Sequence, residues 1–218
     1  MTLAIFDLDN TLIAGDSDHS WGEFIVEKGL VNGDEYRSKN DQFFQDYSNG
    51  TLDIHAYLAF VLGELTRFSP VELQGLRDEF MATKIDALML PKSFELIASH
   101  RSRGHIPLII TATNRFVTEP IAAHLGIENL LASEAEIIDG RYTGRSKGIA
   151  CFQEGKVKRL ETWMADRGYT LDGSYFYSDS ANDIPLLDYV ENPIAVDPCP
   201  RLRTYALEQN IPIISLRG

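Results

Sequence analysis

Five short apolar segments, separated by stretches with helical periodicity, constrain the fold of this chain most strongly. Each is rich in β-formers or aromatic residues and is bounded by Gly, Pro or Asp. The segments are 3–6 (LAIF), 107–111 (PLIIT), 174–178 (SYFYS), 193–196 (PIAV) and 212–216 (PIISL). Such runs are typical of strands that are buried on both faces of a parallel sheet. Because helices alternate with them, the sequence predicts an α/β protein with crossover connections.

Residues 14–87 differ from the rest, because they contain almost no strand-like run and several helical stripes. Ser69 and Glu72 around Pro70 predict the start of one of these helices. Two further stripes consist of Trp21, Phe24 and Ile25 and of Leu58, Val61, Leu62 and Leu65. A helical block inserted after the first strand indicates a separate cap. We therefore predict a core domain of residues 1–13 and 88–218 and a cap domain of residues 14–87.

Two local patterns add detail to the core. Asp139 and Gly140 supply the positive-φ turn of a small hairpin at 136–144. Val157, Leu160 and Met164 have the spacing of one helix face after Gly155, and a short helix is expected near 183–190.

Composition limits the classes of partner. The chain has 218 residues and a net charge of −12, which disfavours nucleic acid and anionic membrane surfaces as partners. No stretch approaches the roughly 18 apolar residues of a membrane helix, and the N-terminus shows no secretory signal. The two cysteines, Cys151 and Cys199, form no CxxC motif and are expected to be reduced. We expect a cytoplasmic protein.

Three of the predicted strands end in polar groups. The first ends at Asp7, followed by Asp9 and Thr11, and the second ends at Thr111. The third ends at Asp179, with Asp183 four residues further on. In open α/β sheets, ligands bind outside the carboxyl ends of the strands. A single acidic turn is usually a plain loop or helix cap, but three in corresponding places indicate a site.

The acidic residues at this edge predict a magnesium site. Two like charges within three residues disfavour each other's ionised forms, so a cation between them is expected. Mg²⁺ is usually held by one or two carboxylates, waters and phosphate oxygens. Asp7, Asp9 and Asp179 are the candidate ligands, and Asp183 is placed to hold a metal-bound water. Alternatively, Asp183 is a charged residue in the first turn of a helix, where the helix dipole favours negative charge.

Phosphoryl transfer would explain why two aspartates stand so close together. Asp7 could attack phosphorus and form an aspartyl-phosphate, while Asp9 protonates the leaving alkoxide and later deprotonates water. The transferring group also needs cations and hydrogen-bond donors. Lys156 and Thr111 are the candidates, although each alone has an ordinary structural explanation as a solvated helix start or a strand cap.

These residues resemble the four motifs of the haloacid dehalogenase-like (HAD) phosphatases, in order. The motifs are DLDNT at 7–11, Thr111 in IITAT, Lys156 in EGK and DSAND at 179–183. The resemblance implies a Rossmann-like core with a type-1 cap, Asp7 as nucleophile, Asp9 as acid/base, and Thr111 and Lys156 as phosphate ligands. It implies Mg²⁺ on Asp7, Asp179 and the Asp9 carbonyl, with Asp183 in the outer shell. Ser178 and Ser180 depart from the glycines of many relatives, without an expected loss of function.

The insert resembles the cap of the phosphoserine phosphatase branch. In that branch an acidic residue nine positions after the nucleophile meets the substrate ammonium, which implies this role for Asp16. Asp16 could equally be a turn residue. Thr11, Asn114 and Asn182 are the other predicted substrate-binding residues.

Within the branch, the chain is most similar to a bacterial subgroup that includes histidinol-phosphatases of amino-acid biosynthesis. The stretch GDSDHSW at 15–21 has acids and aromatic residues and no basic residue, which favours a cationic substrate. Phosphoserine is the second candidate. Its carboxylate usually pairs with an arginine, which this stretch lacks but other parts of the chain contain. The candidate arginines are Arg37, Arg67, Arg77 and Arg115.

The sequence offers two alternative classes of function. One is a non-catalytic protein that binds or senses a phosphorylated metabolite. The other, an ATP-using kinase, is disfavoured because the sequence has no GxxxxGK phosphate loop. No feature of the sequence predicts an oligomeric state.

Overall fold

A seven-stranded sheet forms the centre of the molecule, whose computed structural model describes residues 1–217. Every neighbouring pair is parallel except β3 and β4, which are antiparallel. The strands are β1 (Leu3–Phe6), β2 (Ile106–Asn114), β3 (Asn129–Ile138), β4 (Arg141–Lys147), β5 (Tyr175–Ser178), β6 (Asn192–Val196) and β7 (Ile213–Ile214). The predicted α/β class is confirmed.

Helices connect the strands and cover the sheet. Four of them form the first part of the connection from β1 to β2: α1 (Ser17–Glu27), α2 (Gly33–Asn49), α3 (Ile54–Leu65) and α4 (Pro70–Phe80). A π-helical segment (Met81–Ile85) and a 3-10 turn (Asp86–Leu88) follow them. The others are α5 (Pro91–Ser102), α6 (Arg115–His124), α7 (Glu154–Ala165), α8 (Ile184–Leu187) and α9 (Pro200–Glu208).

The insert between β1 and β2 is helical, as the sequence predicts. Ser69 and Glu72 form the capping box of α4, and both predicted apolar stripes are buried. Their side chains belong to the same hydrophobic cluster as one face of the sheet. For example, the ring of Trp21 in α1 lies 5.1 Å from that of Phe116 in α6. The division into cap and core domains stays a prediction.

Two strand boundaries were wrong in the sequence prediction. β2 does not end at Thr111 but continues to Asn114, with a register irregularity between Ile110 and Asn114. The last strand covers only Ile213–Ile214 and not 212–216. It lies at the edge of the sheet, and only these two residues pair with β6.

The sequence prediction also missed most of β3. Its first part pairs parallel to β2 and its last part pairs with β4 around the hairpin turn. The turn itself is confirmed, because Asp139 and Gly140 both have positive φ. Leu, Ala and Glu dominate 130–136 and favour helix over strand. Pairing with two neighbouring strands overrides that preference.

The strand order places a crevice at the end of β1. The order is β4-β3-β2-β1-β5-β6-β7. β1 therefore has β2 on one side and β5 on the other, and the order of the strands reverses at this point. Such a reversal separates the loops at the carboxyl ends of the strands and opens a ligand crevice. Among residues 1–217, no helix has the length and apolar character needed to cross a membrane.

Candidate active site

Asp7 occupies the crevice directly after β1. Its backbone N–H donates to the Tyr177 carbonyl at 2.9 Å, which extends the pairing of β1 with β5 by one residue. The residue is 4 % exposed and lines a small cavity together with Asp9, Thr111 and Asp179. These four predicted residues therefore meet, although they belong to three different strands or to the loops that follow them.

Lys156 neutralises part of the negative charge of this cluster. Its Nζ donates to Asp7 Oδ1 at 2.8 Å and lies 2.7 Å from Asp183 Oδ1. The lysine is buried in the first turn of α7. Gly155 precedes it where a Cβ would collide with the Ala150 carbonyl oxygen. This glycine therefore allows the close approach that brings Lys156 to Asp7.

Thr11 connects Asp7 with Asp179. Its hydroxyl lies 3.2 Å from Asp179 Oδ1 and 3.4 Å from Asp7 Oδ2, and it accepts the Asp179 backbone N–H at 3.0 Å. One hydroxyl thus holds the loops after β1 and β5 in register. The structure places Thr11 among the acidic groups, and its predicted substrate contact stays a prediction.

Asp9 has a different set of partners. Its Oδ1 accepts the Ser17 backbone N–H at 2.7 Å, at the start of α1, and its Oδ2 accepts the Thr113 hydroxyl at 2.8 Å. The sequence analysis missed both partners. Side chains two residues apart point to the same face of a strand, so the position of Thr113 could have been predicted from that of Thr111.

Asp183 lies at the end of a 3-10 turn (Ala181–Asp183), not within a helix as expected. The short chain between β5 and α8 leaves room for only one tight turn. Asp183 Oδ2 accepts the Ser178 hydroxyl at 2.7 Å, while the Ser180 hydroxyl accepts the Asn182 N–H at 3.2 Å. Both serines therefore make specific hydrogen bonds.

Burial shifts the protonation equilibria of these carboxyls. Burial, offset in part by Lys156, raises the pKa of Asp7 to about 7. Burial and the charge of Asp16 raise the pKa of Asp9 to about 6. Burial and the charge of Asp7 also raise the pKa of Asp179. Burial alone would lower the pKa of Lys156, but Asp183 and Asp7 raise it well above the ordinary value.

The donor set of the cluster fits a hard cation. Asp7 Oδ2 and Asp179 Oδ1 both face the Thr11 hydroxyl, and one buried lysine compensates only part of the charge. Carboxylate oxygens are the protein ligands of Mg²⁺, which keeps several waters. Within residues 1–217, no group of three or more His, Cys, Asp or Glu side chains has the arrangement of a complete metal cage.

Comparison with known proteins agrees with this arrangement. Residues 4–188 match the haloacid dehalogenase-like hydrolases. The chain belongs to this family. It is 44 % identical to a histidinol-phosphatase of Neisseria meningitidis serogroup C (strain 8013), with 99 % of each chain covered.

Solved structures of other proteins have the same fold. A Bordetella pertussis Tohama I protein of unknown function superposes with a TM-score of 0.92 at 41 % identity, covering 99 % of this chain and 100 % of that one. A substrate-bound phosphoserine phosphatase superposes with a TM-score of 0.71 at 20 % identity, covering 97 % and 92 %. The predicted HAD fold is confirmed.

A second cavity of the hydrolase adjoins the first. The two share Asp16, Tyr47, Ala112 and Thr113. Acidic and aromatic side chains line the second one; they include Asp18, His19, Phe43, Phe44, Tyr47 and Tyr57. A group that extends from the first cavity could therefore enter the second one.

Asp16 lies between the two cavities and also begins α1. Its Oδ1 accepts the His19 backbone N–H at 2.8 Å as the N-cap of the helix. Asp16 is therefore a helix cap, rather than the plain turn residue considered as the alternative, and it also lines both cavities. An ammonium contact of Asp16 stays a prediction.

The two predicted asparagines contact other protein groups. Asn114 Nδ2 donates to Asp18 Oδ1 at 3.2 Å, and Asn114 Oδ1 caps α6 by accepting the Val117 N–H. Asn182 Nδ2 donates to the Tyr47 carbonyl at 2.9 Å and so connects α2 with the loop after β5. Neither contact was predicted, because each crosses between the helical insert and the sheet.

The candidate arginines for a substrate carboxylate do not line either cavity. Arg37 and Arg67 pair with Glu23 and Glu64 in the insert. The other two are engaged near α6, where Arg77 contacts Glu119 and Arg115 forms several hydrogen bonds with Glu134.

Proposed function

We propose that this hydrolase is a Mg²⁺-dependent phosphomonoesterase that acts on histidinol phosphate in the cytoplasm. The observation that carries the proposal is the convergence of Asp7, Lys156 and Asp179 in the crevice after β1. A nucleophilic carboxylate, a buried cation and further acidic oxygens are the groups that phosphoryl transfer requires. We assign residues 14–87 to a cap domain and residues 1–13 and 88–218 to the core.

The reaction would take two steps. In the first, the Asp7 carboxylate attacks phosphorus, the ester P–O bond breaks, and the leaving alkoxide takes a proton from Asp9. In the second, Asp9 takes a proton from a water molecule, whose oxygen attacks phosphorus. The P–O bond to Asp7 then breaks and inorganic phosphate leaves. A pKa of Asp9 near 6 supports both proton transfers at neutral pH.

The other residues would hold the transferring group. Lys156 and the Thr111 hydroxyl are assigned to phosphate oxygens, and Lys156 also fixes the orientation of Asp7. Asp7, Asp179 and the Asp9 carbonyl would hold Mg²⁺, with Asp183 as an outer partner. Bound there, the ion supplies Lewis-acid stabilisation of charge on the phosphoryl oxygens.

The lining of the second cavity supports the proposal that the leaving group is cationic. Histidinol carries an ammonium group and an imidazole, which acids and aromatic rings bind well. No Lys or Arg of the described residues lines this cavity, whereas phosphoserine would also present a carboxylate. The relative that is 44 % identical over nearly the whole chain is a histidinol-phosphatase, which adds support.

Phosphate release tests the proposal. We expect wild-type enzyme to release phosphate from histidinol phosphate with Mg²⁺, and to lose this activity with EDTA. Phosphoserine should have a much lower kcat/KM, and Asp7→Asn should be inactive. A higher kcat/KM for phosphoserine would refute the substrate assignment. Inactivity toward a broad panel of phosphomonoesters would refute catalysis and favour a phosphometabolite-binding protein.

A further inference from the structure

A second acidic residue, Asp18, lies in the first turn of α1 and lines the second cavity. Its residue exposure is only 3 %. We propose that Asp18 determines the specificity of this enzyme by binding the cationic group of the leaving alcohol. This inference rests on the proposed phosphatase function and assigns a residue to the choice of substrate.

The two oxygens of Asp18 have unequal surroundings. Oδ1 accepts the Asn114 side-chain N–H at 3.2 Å, which fixes the orientation of the carboxylate. Oδ2 is buried and makes no hydrogen bond of normal geometry with residues 1–217, although the Tyr57 hydroxyl is near enough to lower the pKa of Asp18 slightly. A buried carboxylate oxygen without a partner is unfavourable. A cationic ligand in the cavity would supply the missing donor.

Asp16 is less suited to be the main contact of the cation. One of its oxygens already accepts the His19 N–H as the cap of α1, and it adjoins the cavity that contains Asp7 and Asp9. Asp18 does not line that first cavity. A cation beside Asp18 would therefore stand on the leaving-group side, away from the phosphoryl group.

The surroundings of Asp18 favour a cation of a particular kind. Tyr57, His19 and Phe44 line the same cavity, and the rings of His19 and Phe44 lie 5.1 Å apart. Aromatic faces attract cations and stack on flat rings. A ligand with an ammonium group and an aromatic ring matches this combination better than a small zwitterion.

The protonation equilibrium of Asp18 agrees with the geometry. Burial and the charge of Asp16 raise the pKa of Asp18 to about 8. A neighbouring cation favours the ionised carboxylate, so a cationic ligand would offset part of the unfavourable burial. Asn114 is then a positioning residue, because it acts through Asp18.

Three variants test the role of Asp18. Asp18→Asn removes the charge at nearly constant size, and Asp18→Glu keeps it. Asp34→Asn changes an exposed residue in the first turn of α2 and serves as the control. The kinetic constants are measured with Mg²⁺ for histidinol phosphate and for p-nitrophenyl phosphate, which lacks a cation. Calorimetry measures the binding of histidinol, and thermal unfolding checks the fold.

We expect Asp18→Asn to lower kcat/KM for histidinol phosphate about 10- to 100-fold more than for p-nitrophenyl phosphate, mainly through KM. Histidinol binding should weaken by a similar factor, and Asp18→Glu should restore part of both losses. Asp34→Asn should match the wild type. A structural role alone would reduce both substrates equally and lower the unfolding temperature.

Equal losses on the two substrates, or unchanged histidinol binding in Asp18→Asn, would overturn the assignment of Asp18. The proposed phosphatase function fails differently, since the wild type would then hydrolyse neither phosphomonoester. Histidinol binding by calorimetry still tests Asp18 in that case, because it needs no turnover. If Asp18→Asn does not fold, the comparison is made between the wild type and Asp18→Glu, whose longer side chain should weaken histidinol binding.

Discussion

Replacing Lys156 by Met tests whether this residue compensates the charge of the acidic cluster. Its Nζ contacts Asp7 at 2.8 Å and Asp183 at 2.7 Å, and its side chain is only 2 % exposed. Methionine keeps the length and apolar character of the stem but has no donor. The variant therefore leaves two buried carboxylates without their shared cation.

The expected destabilisation follows from this geometry. Removing one partner of a buried ion pair costs about 3 to 5 kcal/mol, because the remaining charge stays uncompensated. We expect about 4 kcal/mol at pH 8 in the absence of metal. Since the pKa of Asp7 is about 7, this carboxyl is protonated at pH 5. The loss should be smaller there, because one of the two charges is gone.

Urea unfolding followed by circular dichroism, at pH 8 and pH 5 with EDTA, measures the difference in free energy of unfolding. Lys39→Met is the matched control, because Lys39 pairs with Glu35 at 3.2 Å on the exposed face of α2. An exposed pair of this type contributes about 0.5 kcal/mol or less. A loss below about 1 kcal/mol for Lys156→Met at pH 8, or an equal loss at both pH values, would refute the reasoning.

Two further predictions concern pH. Because the pKa values of Asp7 and Asp9 are raised from 3.8 to about 7 and about 6, the contribution of these two carboxyls to the stability of the metal-free protein should fall as pH rises from 4 to 7. Saturating Mg²⁺ should therefore raise the unfolding temperature more at pH 8 than at pH 5, and an equal shift would contradict this. The second concerns His100, whose ring contacts His105 and Tyr177. Burial lowers its pKa from 6.5 to about 4, so protonation of the unfolded chain should destabilise the wild type by at most about 3 kcal/mol between pH 7 and 4. His100→Gln should lack this contribution, as urea unfolding at several pH values would measure; parallel pH curves for the two proteins would refute it.

The acidic cluster was predictable because it depends on topology more than on side-chain packing. Asp7 and Asp179 follow strands whose apolar runs are easily recognised, and parallel strands bring their carboxyl ends to one edge. The wrong C-terminal end predicted for β2 did not affect the prediction for Thr111, which lines the cavity. Lys156 was a candidate because the transferring group needs a cation, and the family resemblance supported it, since a lysine at a helix start has no distinctive spacing.

Contacts between the insert and the sheet could not be predicted. The hydrogen bonds from Asn182 to the Tyr47 carbonyl and from Asn114 to Asp18 join residues 135 and 96 positions apart. Local periodicity gives no information about such pairs. Asp16 and Asp18 are also alike in sequence, as two acids at a helix start. Only the fold shows that one caps the helix and that the other has a buried, unpartnered oxygen.

The distribution of charge in the two cavities favours one orientation of the substrate. Lys156 lies beside Asp7, where an anionic phosphoryl group would react, whereas acids and aromatic rings line the adjoining cavity. A substrate with a phosphate at one end and a cation at the other can therefore bind favourably in one orientation only. In the reverse orientation its phosphate would meet the unpaired oxygen of Asp18, and its cation would compete with Lys156. We therefore expect this electrostatic asymmetry to disfavour doubly anionic phosphomonoesters as well as to favour cationic ones.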